Sequence, residues 1–225
     1  MLTELQHKFP IQPIIDQVKS LTLDKRFDLN TPTGKFFNDP WQIKNEFIGT
    51  PLGHVLESIP NCGQARLLKL ESGESYTAHT DPDDRVHLAI VSNEYSFLVD
   101  VDNGNLHYLP VDGQLWLMDT SRVHVAANWG GWDRIHLNVR VLLPAFDSTK
   151  PGMYFKVIDG LQDWKQASYI ELMGNINQGI KHKIVTGFDA PNERELYINT
   201  TRPDLFKPII DNIKARSVEL LCETF

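Results

Sequence analysis

The sequence predicts a mainly β domain of the jelly-roll (cupin-like) type, with helices flanking it on both sides. Between residues 65 and 143 the chain carries eight short runs rich in β-branched and aromatic residues, separated by turn residues every eight to twelve positions. Asn103-Gly104 and Asp112-Gly113 are typical of tight hairpins. Short strands without helices between them favour a closed or double-sheet architecture. We expect strands near 65–71, 75–81, 85–92, 95–102, 105–111, 114–119, 123–128 and 134–143.

The flanking segments show helical spacing instead. Ile14, Val18 and Leu21 recur on one face, which predicts a helix over residues 12–21. Near the other end of the chain, residues 160–180 and 203–222 have a mainly helical pattern. We therefore expect three regions, which are an N-terminal helical and loop flank (1–60), a β core (61–146) and a C-terminal helical extension packed on that core (147–225).

Composition narrows the classes of function. The chain has 225 residues, with 22 Lys+Arg against 29 Asp+Glu and a net charge of −7. This acidic balance argues against a nucleic-acid partner and against a polybasic membrane contact. No stretch reaches the roughly 18–20 apolar residues of a membrane span, and the first residues lack the apolar core of a signal peptide. Cys62 and Cys222 predict two reduced thiols in a cytoplasmic protein.

Three of the expected strands carry an unusual polar face. In 134–141, Arg134, His136, Asn138 and Arg140 alternate with apolar residues, and residues two apart on a strand share a face. Solvated strand faces usually carry Lys, Glu, Thr and Ser, whereas these faces carry His and Arg. A solvated face is the simpler alternative. We expect instead that the polar faces line a binding pocket inside the barrel and that the apolar faces pack on the helices.

One candidate metal site follows from these faces. His79 and Asp81 lie two residues apart on one strand, so an imidazole and a carboxylate can reach the same ion. The pair alone is weak evidence for a metal site, because such a spacing also arises by chance. His124, on a later strand, supplies a third donor. Two His and one carboxylate match the facial triad of non-haem Fe(II) oxygenases, which leaves positions open for a co-substrate and O₂.

These residues resemble a known family. Together they look like the Fe(II)/2-oxoglutarate-dependent oxygenases of the aspartyl/asparaginyl β-hydroxylase type, and the bacterial proline cis-4-hydroxylases are similar. The resemblance covers roughly residues 60–145 and implies a double-stranded β-helix fold. The motifs that carry it are His79-Thr80-Asp81, Arg85-Val86-His87-Leu88, His124 and Arg134-Ile135-His136-Leu137.

The resemblance implies a role for each of these residues. His79, Asp81 and His124 are the expected Fe(II) ligands. Arg134 stands where the family binds the distal carboxylate of 2-oxoglutarate, for which a guanidinium fork is suited. Arg85 and His87 are the other expected co-substrate or substrate contacts, although both can also pair locally with neighbouring acidic residues.

The chain departs from the family pattern at one position. Some members have a serine that helps to hold the co-substrate where this chain has Leu68, so another hydroxyl or amide must take that part. Some β-hydroxylases also lack the carboxylate ligand. The presence of Asp81 makes the chain more similar to the hydroxylases of free amino acids.

The expected activity is that of an Fe(II)- and 2-oxoglutarate-dependent dioxygenase. It would use O₂ to hydroxylate an amino acid, either free or as a residue in a peptide or protein, and release succinate and CO₂. Two alternatives stay open, namely a cupin-like metal-dependent isomerase or epimerase and a non-catalytic small-molecule-binding jelly roll. Arg134 argues against the isomerase or epimerase, which needs no carboxylate-binding guanidinium ten residues after the last metal ligand. A binding module would not need three metal ligands on converging faces.

Overall fold

A computed structural model of the chain describes residues 2–34, 39–81, 83–157, 172, 175–176, 178–180, 182–192, 195–215 and 220–224. The chain divides into two units, one ending at Leu142 and the other beginning at Leu143. In the first unit the helices are α1 (Ile11–Lys19), α2 (Pro51–Glu57) and the 3-10 turn Asn45–Phe47. Its strands are β1 (Leu2–Lys8), β2 (Arg26–Asp28), β3 (Asn30–Pro32), β4 (Trp41–Ile43), β5 (Cys62–Leu70), β6 (Glu74–Ser75), β7 (Arg85–Val91), β8 (Ser96–Asp100), β9 (Asn105–His107), β10 (Gln114–Met118), β11 (His124–Asn128) and β12 (Arg134–Val141).

Two antiparallel sheets form the first unit. The larger has the strand order β1-β10-β7-β12-β5-β2, and the smaller has the order β6-β11-β8-β9. Strands β5 to β12 thus cross repeatedly between the two sheets, which is the arrangement of a double-stranded β-helix. The predicted fold class is confirmed, and each of the eight predicted core strands is present.

Two of those strands are much shorter than predicted. Strand β6 ends at Ser75, and the following residues keep only one isolated bridge to β11, between His79 and His124. The backbone nevertheless stays extended beside β11, because Tyr76 N–H still donates to the Ala126 carbonyl at 2.9 Å. Strand β9 ends at His107 instead of residue 111. The short β6 leaves its continuation, including His79, at the edge of the barrel.

The main apolar core lies between the larger sheet and the helices. Leu88, Leu137 and Val139 pack in one cluster with Ile14 of α1 and Leu52 of α2. These strand residues alternate with the polar ones that face the other way. The predicted division into an outer apolar face and an inner polar face is therefore confirmed.

The N-terminal segment differs from the expected helical and loop flank. Helix α1 is present close to its predicted bounds, but β1 and β2 are strands at the two edges of the larger sheet. Strand β1 pairs with β10 through the register Leu2↔Met118. Its backbone thereby covers an open sheet edge, which a pattern of alternating residues alone does not reveal. Residues 1–60 thus contribute to the same core as the barrel instead of standing outside it.

The second unit corrects the prediction of a helical extension. It contains a four-stranded antiparallel sheet of order β14-β15-β13-β16 beside the 3-10 turn Pro203–Phe206 and helix α3 (Lys207–Ala215). Alternation explains the sheet, because Met153, Phe155 and Ile198 all face one apolar cluster. The strands are β13 (Gly152–Val157), β14 (Val185–Asn192), β15 (Glu195–Thr200) and β16 (Leu220–Thr224).

The predicted C-terminal helices are only partly present. The helix expected over 203–222 ends at Ala215, and strand β16 follows where its backbone pairs with β13. Of the helix expected over 160–180, the residues before 172 lie outside the described ones, and the described residues from 172 to 180 are helical. Packing of this extension on the core stays a prediction.

Candidate metal and co-substrate site

A cavity of about 410 Å³ opens between the two sheets of the first unit. Residues of both sheets line it, with polar side chains from β5, β7 and β12 of the larger sheet on one side and His124 of the smaller sheet on the other. The cavity is cationic although the whole chain has a net charge of −7, so it is suited to anionic ligands. The charged lining residues other than histidine are Lys25, Arg26, Arg66, Arg85, Arg134 and Asp81.

Three predicted ligands converge at the mouth of this cavity. The Nε2 atoms of His79 and His124 lie 3.8 Å and 3.7 Å from Asp81 Oδ2. One ligand atom from each of the three residues lies within 4.8 Å of the others. His124 is buried, whereas His79 is exposed at the rim. The isolated bridge between the two histidines fixes this approach, because each backbone N–H donates to the carbonyl of the other.

Hydrogen bonds to backbone carbonyls orient both imidazoles. His79 Nδ1 lies 2.7 Å from the Thr77 carbonyl, and His124 Nδ1 lies 2.9 Å from the Arg122 carbonyl. A carbonyl only accepts, so each Nδ1 carries the hydrogen and each Nε2 keeps its lone pair for an ion. Burial lowers the pKa of His124, which favours the neutral ring that a metal requires.

Arg134 lies deeper in the cavity at the start of β12. Its side chain is 2% exposed, and no carboxylate of the described residues lies within ion-pair distance. Burial lowers the pKa of Arg134 to about 10, so the group still carries its charge at neutral pH. Its buried Nε has no hydrogen-bond partner within the described chain. A desolvated guanidinium in this state is suited to bind an anion.

A second polar row crosses the sheet beside Arg134. His87, Asn138 and Arg66 are directly opposite one another on β7, β12 and β5. His87 Nε2 lies 3.2 Å from Asn138 Nδ2, while His87 Nδ1, Asn138 Oδ1 and Arg66 Nε are buried without partners among the described residues. Burial, with nearby Arg134 and Arg85, holds the pKa of His87 well below its usual value. Sequence reasoning missed Arg66, although its alternation with the apolar Ala65 and Leu67 places it on the inner face.

Arg85 forms ion pairs with neighbouring acidic residues, which is the alternative that the sequence left open. Its Nη2 lies 3.2 Å from Asp81 Oδ1, and its Nη1 lies 2.5 Å from Asp83 Oδ1. Asp83 also pairs with Arg140 at 2.5 Å. Both edges of the Arg85 guanidinium are therefore occupied, and the residue holds the Asp81 carboxylate instead of offering an open fork to the co-substrate.

Asn128 joins the β11–β12 connection to the barrel. Its Oδ1 accepts from Asn93 Nδ2 at 3.0 Å and from Ser96 Oγ at 2.9 Å. Its Nδ2 lies 3.0 Å from the Leu70 carbonyl and 2.9 Å from the Trp132 carbonyl. The amide thus fixes the turn from which Arg134 enters the cavity.

We expect Asn128→Ala to lower the free energy of unfolding by about 3 kcal/mol, because several buried polar groups lose their partner at once. Chemical denaturation measures the change. Asn105→Ala, at an exposed strand position, is the control and should change stability by less than about 0.5 kcal/mol. An equal, small effect for both variants would contradict the bracing role of Asn128.

The residues present fit a metal and a dicarboxylate co-substrate. Two imidazoles and one carboxylate, with no thiolate in the cluster, form a donor set that suits Fe(II) more than structural zinc. Arg134, with its unpaired Nε, fits a carboxylate located further inside. Fe(II) would be held by His79, Asp81 and His124, and 2-oxoglutarate would extend from it toward Arg134.

Comparisons with known proteins agree with this chemistry. Residues 51–144 match the model of the aspartyl/asparaginyl β-hydroxylase family, and this segment contains all three metal-ligand candidates and Arg134. No sequence among the curated proteins matches. The family match confirms the resemblance seen in the sequence.

Two solved structures are also similar. One is the viral collagen prolyl hydroxylase of Paramecium bursaria Chlorella virus-1 in complex with 2-oxoglutarate, at 12% identity and a TM-score of 0.39, over 62% of this chain and 94% of the other. The second is a Pseudomonas putida prolyl-4-hydroxylase, at 13% identity and a TM-score of 0.40, over 63% of this chain and 92% of the other.

Proposed function

We propose that this chain, whose residues 51–144 match the aspartyl/asparaginyl β-hydroxylase family, is a dioxygenase that hydroxylates a free amino acid. The reaction would consume 2-oxoglutarate and O₂ and yield the hydroxylated product, succinate and CO₂. The convergence of His79, Asp81 and His124 at the mouth of a cationic cavity is the observation that carries this proposal.

The bound Fe(II) would supply the activation of O₂ that the side chains alone do not provide. His79 and His124 bind through Nε2, and Asp81 contributes its carboxylate while Arg85 holds that group in place. Arg134 binds and orients the distal carboxylate of 2-oxoglutarate. The apolar lining residues Leu68, Leu98 and Met118 keep water away from the inner end of the cavity.

Arg66 is the proposed partner of the substrate carboxylate. It faces the cavity, and within the described residues it forms no ion pair. Burial and the nearby Arg85 and Arg26 lower the pKa of Arg66, so an anion bound there would relieve both effects. A free amino acid offers an α-carboxylate, whereas a residue inside a peptide does not. The cavity volume of about 410 Å³ also favours a small substrate, because the same space must hold the co-substrate.

Two further observations bear on the proposed location and partners. No helix in the described part of the chain combines the length and the apolar character needed to cross a bilayer. Cys62 and Cys222 have free thiols, which supports the proposed cytoplasmic location. The proposed partners are a small-molecule substrate and O₂, with no nucleic acid and no membrane.

A succinate-release assay tests the function. It supplies Fe(II), 2-oxoglutarate and each of the twenty amino acids, and compares each acid with its carboxamide and with a short peptide that contains it. Turnover with a free amino acid but not with its amide supports the proposal. Turnover with peptides alone would overturn the free-amino-acid assignment. Absence of succinate with every compound would favour the isomerase or binding-module alternative.

We expect Arg66→Gln to raise the KM for the amino acid about 10- to 100-fold, because one charged hydrogen-bonding partner is lost. The affinity for 2-oxoglutarate and for the metal should stay unchanged. Arg26→Gln is the matched control, since Arg26 also lines the cavity but is paired with Asp28 at 3.1 Å. A loss of 2-oxoglutarate affinity with unchanged substrate KM would show that Arg66 binds the co-substrate instead.

A further inference from the structure

His136 lies beside Arg134 on the inner face of β12, and both side chains are 2% exposed. Arg134 Nη2 lies 2.8 Å from His136 Nδ1. A guanidinium has only donors, so Nδ1 must accept, and the single hydrogen of the neutral ring is then on Nε2. Burial and the charge of Arg134 hold the pKa of His136 well below its usual value, which keeps the ring in this neutral form.

The Nε2–H group of His136 has no acceptor among the described residues. Within the described chain it is buried without a hydrogen-bond partner, as is Nε of Arg134. An unsatisfied buried donor costs roughly 1–3 kcal/mol, and two of them side by side are unusual in a folded protein. Both residues line the cavity, so a ligand there can supply the missing acceptors.

The neighbouring strands offer no other donor at this level. His136 is directly opposite Leu68 on β5 and Ala89 on β7, and neither side chain carries a polar atom. Other polar side chains, among them His87 and Tyr76, line the same cavity, but among the described residues His136 is the one hydrogen-bonded to Arg134.

We propose that His136 Nε2–H is the second donor to the distal carboxylate of 2-oxoglutarate, beside Arg134. This inference rests on the proposed function and adds a residue to its co-substrate site. The carboxylate accepts from Arg134 and from His136, and the hydrogen bond between these two residues holds both donors in place. The Arg134–His136 pair makes binding selective for a 2-oxo acid with a second carboxylate. His136 also replaces the polar contact that some family members obtain from a serine at the position of Leu68.

A pair of 2-oxo acids isolates this contact. 2-Oxovalerate has the same chain length as 2-oxoglutarate but ends in a methyl group. Dissociation constants of both acids are measured anaerobically by calorimetry on the Mn(II)-loaded protein, which gives a readout that does not depend on turnover. We expect His136→Leu to weaken 2-oxoglutarate about 10- to 100-fold, as for a lost hydrogen bond to a charged group, and to leave 2-oxovalerate unchanged.

Restoring a donor provides the second test. His136→Gln keeps an N–H at the end of the side chain and should retain most of the affinity. Leu68→Ser combined with His136→Leu places a hydroxyl on the opposite strand position and should recover part of it. His54→Leu, at an exposed position on α2, is the control and should change neither acid.

Three results would overturn the inference. Equal weakening of both acids by His136→Leu would assign His136 a purely structural role, and unchanged binding of both would remove it from the site. A wild-type protein that binds Mn(II) but neither acid would overturn the proposed function together with this inference. The two failures are thus distinguished by the wild-type measurement.

Discussion

His124→Ala should abolish Fe(II) binding and all coupled turnover. His124 is the buried member of the triad, and its Nε2 lies 3.7 Å from the Asp81 carboxylate. Removal of the imidazole leaves two ligands, one of them on the exposed His79. Because loss of even a supporting contact lowers metal affinity about 10- to 100-fold, we expect a loss of more than about 100-fold for a direct ligand. Metal titration under anaerobic conditions measures it.

The control for this variant is His7→Ala, at an exposed position on β1. It should bind the metal as the wild type does. Thermal unfolding of the metal-free proteins is compared in parallel, so that a folding defect of His124→Ala is recognised. Undiminished Fe(II) binding by a folded His124→Ala protein would remove His124 from the ligand set.

Arg134→Gln should raise the 2-oxoglutarate concentration needed for half-saturation by about 100-fold and spare the metal. Arg134 is buried, carries its charge and has no carboxylate partner among the described residues. Loss of a bidentate, charge-assisted pair removes the main source of affinity for the distal carboxylate. Calorimetric titration of the Mn(II)-loaded protein gives the change.

Stability provides a separate readout for the same variant. Removal of an unpaired buried charge relieves its desolvation cost, so Arg134→Gln should unfold at no lower temperature than the wild type in the absence of ligand. Arg202→Gln, at an exposed position in the second unit, is the control for both measurements. Unchanged affinity for 2-oxoglutarate in Arg134→Gln would count against the assigned role.

Local alternation was sufficient to predict the barrel and most of its site. The strand 134–141 alternates charged and apolar residues, and the two-residue period alone assigns Arg134, His136 and Asn138 to one face. The H-x-D pair was weak evidence alone. It became informative with His124, 43 residues later on a distant strand, and with the family resemblance.

Contacts that depend on long-range pairing were not predictable. Strand β1 covers an edge of the larger sheet, and β16 pairs with β13, through backbone groups that every residue type carries. Whether Arg85 binds a ligand or forms ion pairs with Asp81 and Asp83 depends on side-chain distances below 3.5 Å. The Asn128 amide reaches the Leu70 and Trp132 carbonyls, which the sequence does not place nearby.

A crystal structure of the protein with Mn(II) and 2-oxoglutarate, grown without O₂, tests the account most directly. The anomalous signal of Mn(II) should lie at bonding distance from His79 Nε2, His124 Nε2 and the Asp81 carboxylate, with 2-oxoglutarate extending from the metal to Arg134. Metal bound elsewhere, or a co-substrate whose distal carboxylate does not reach Arg134, would contradict it.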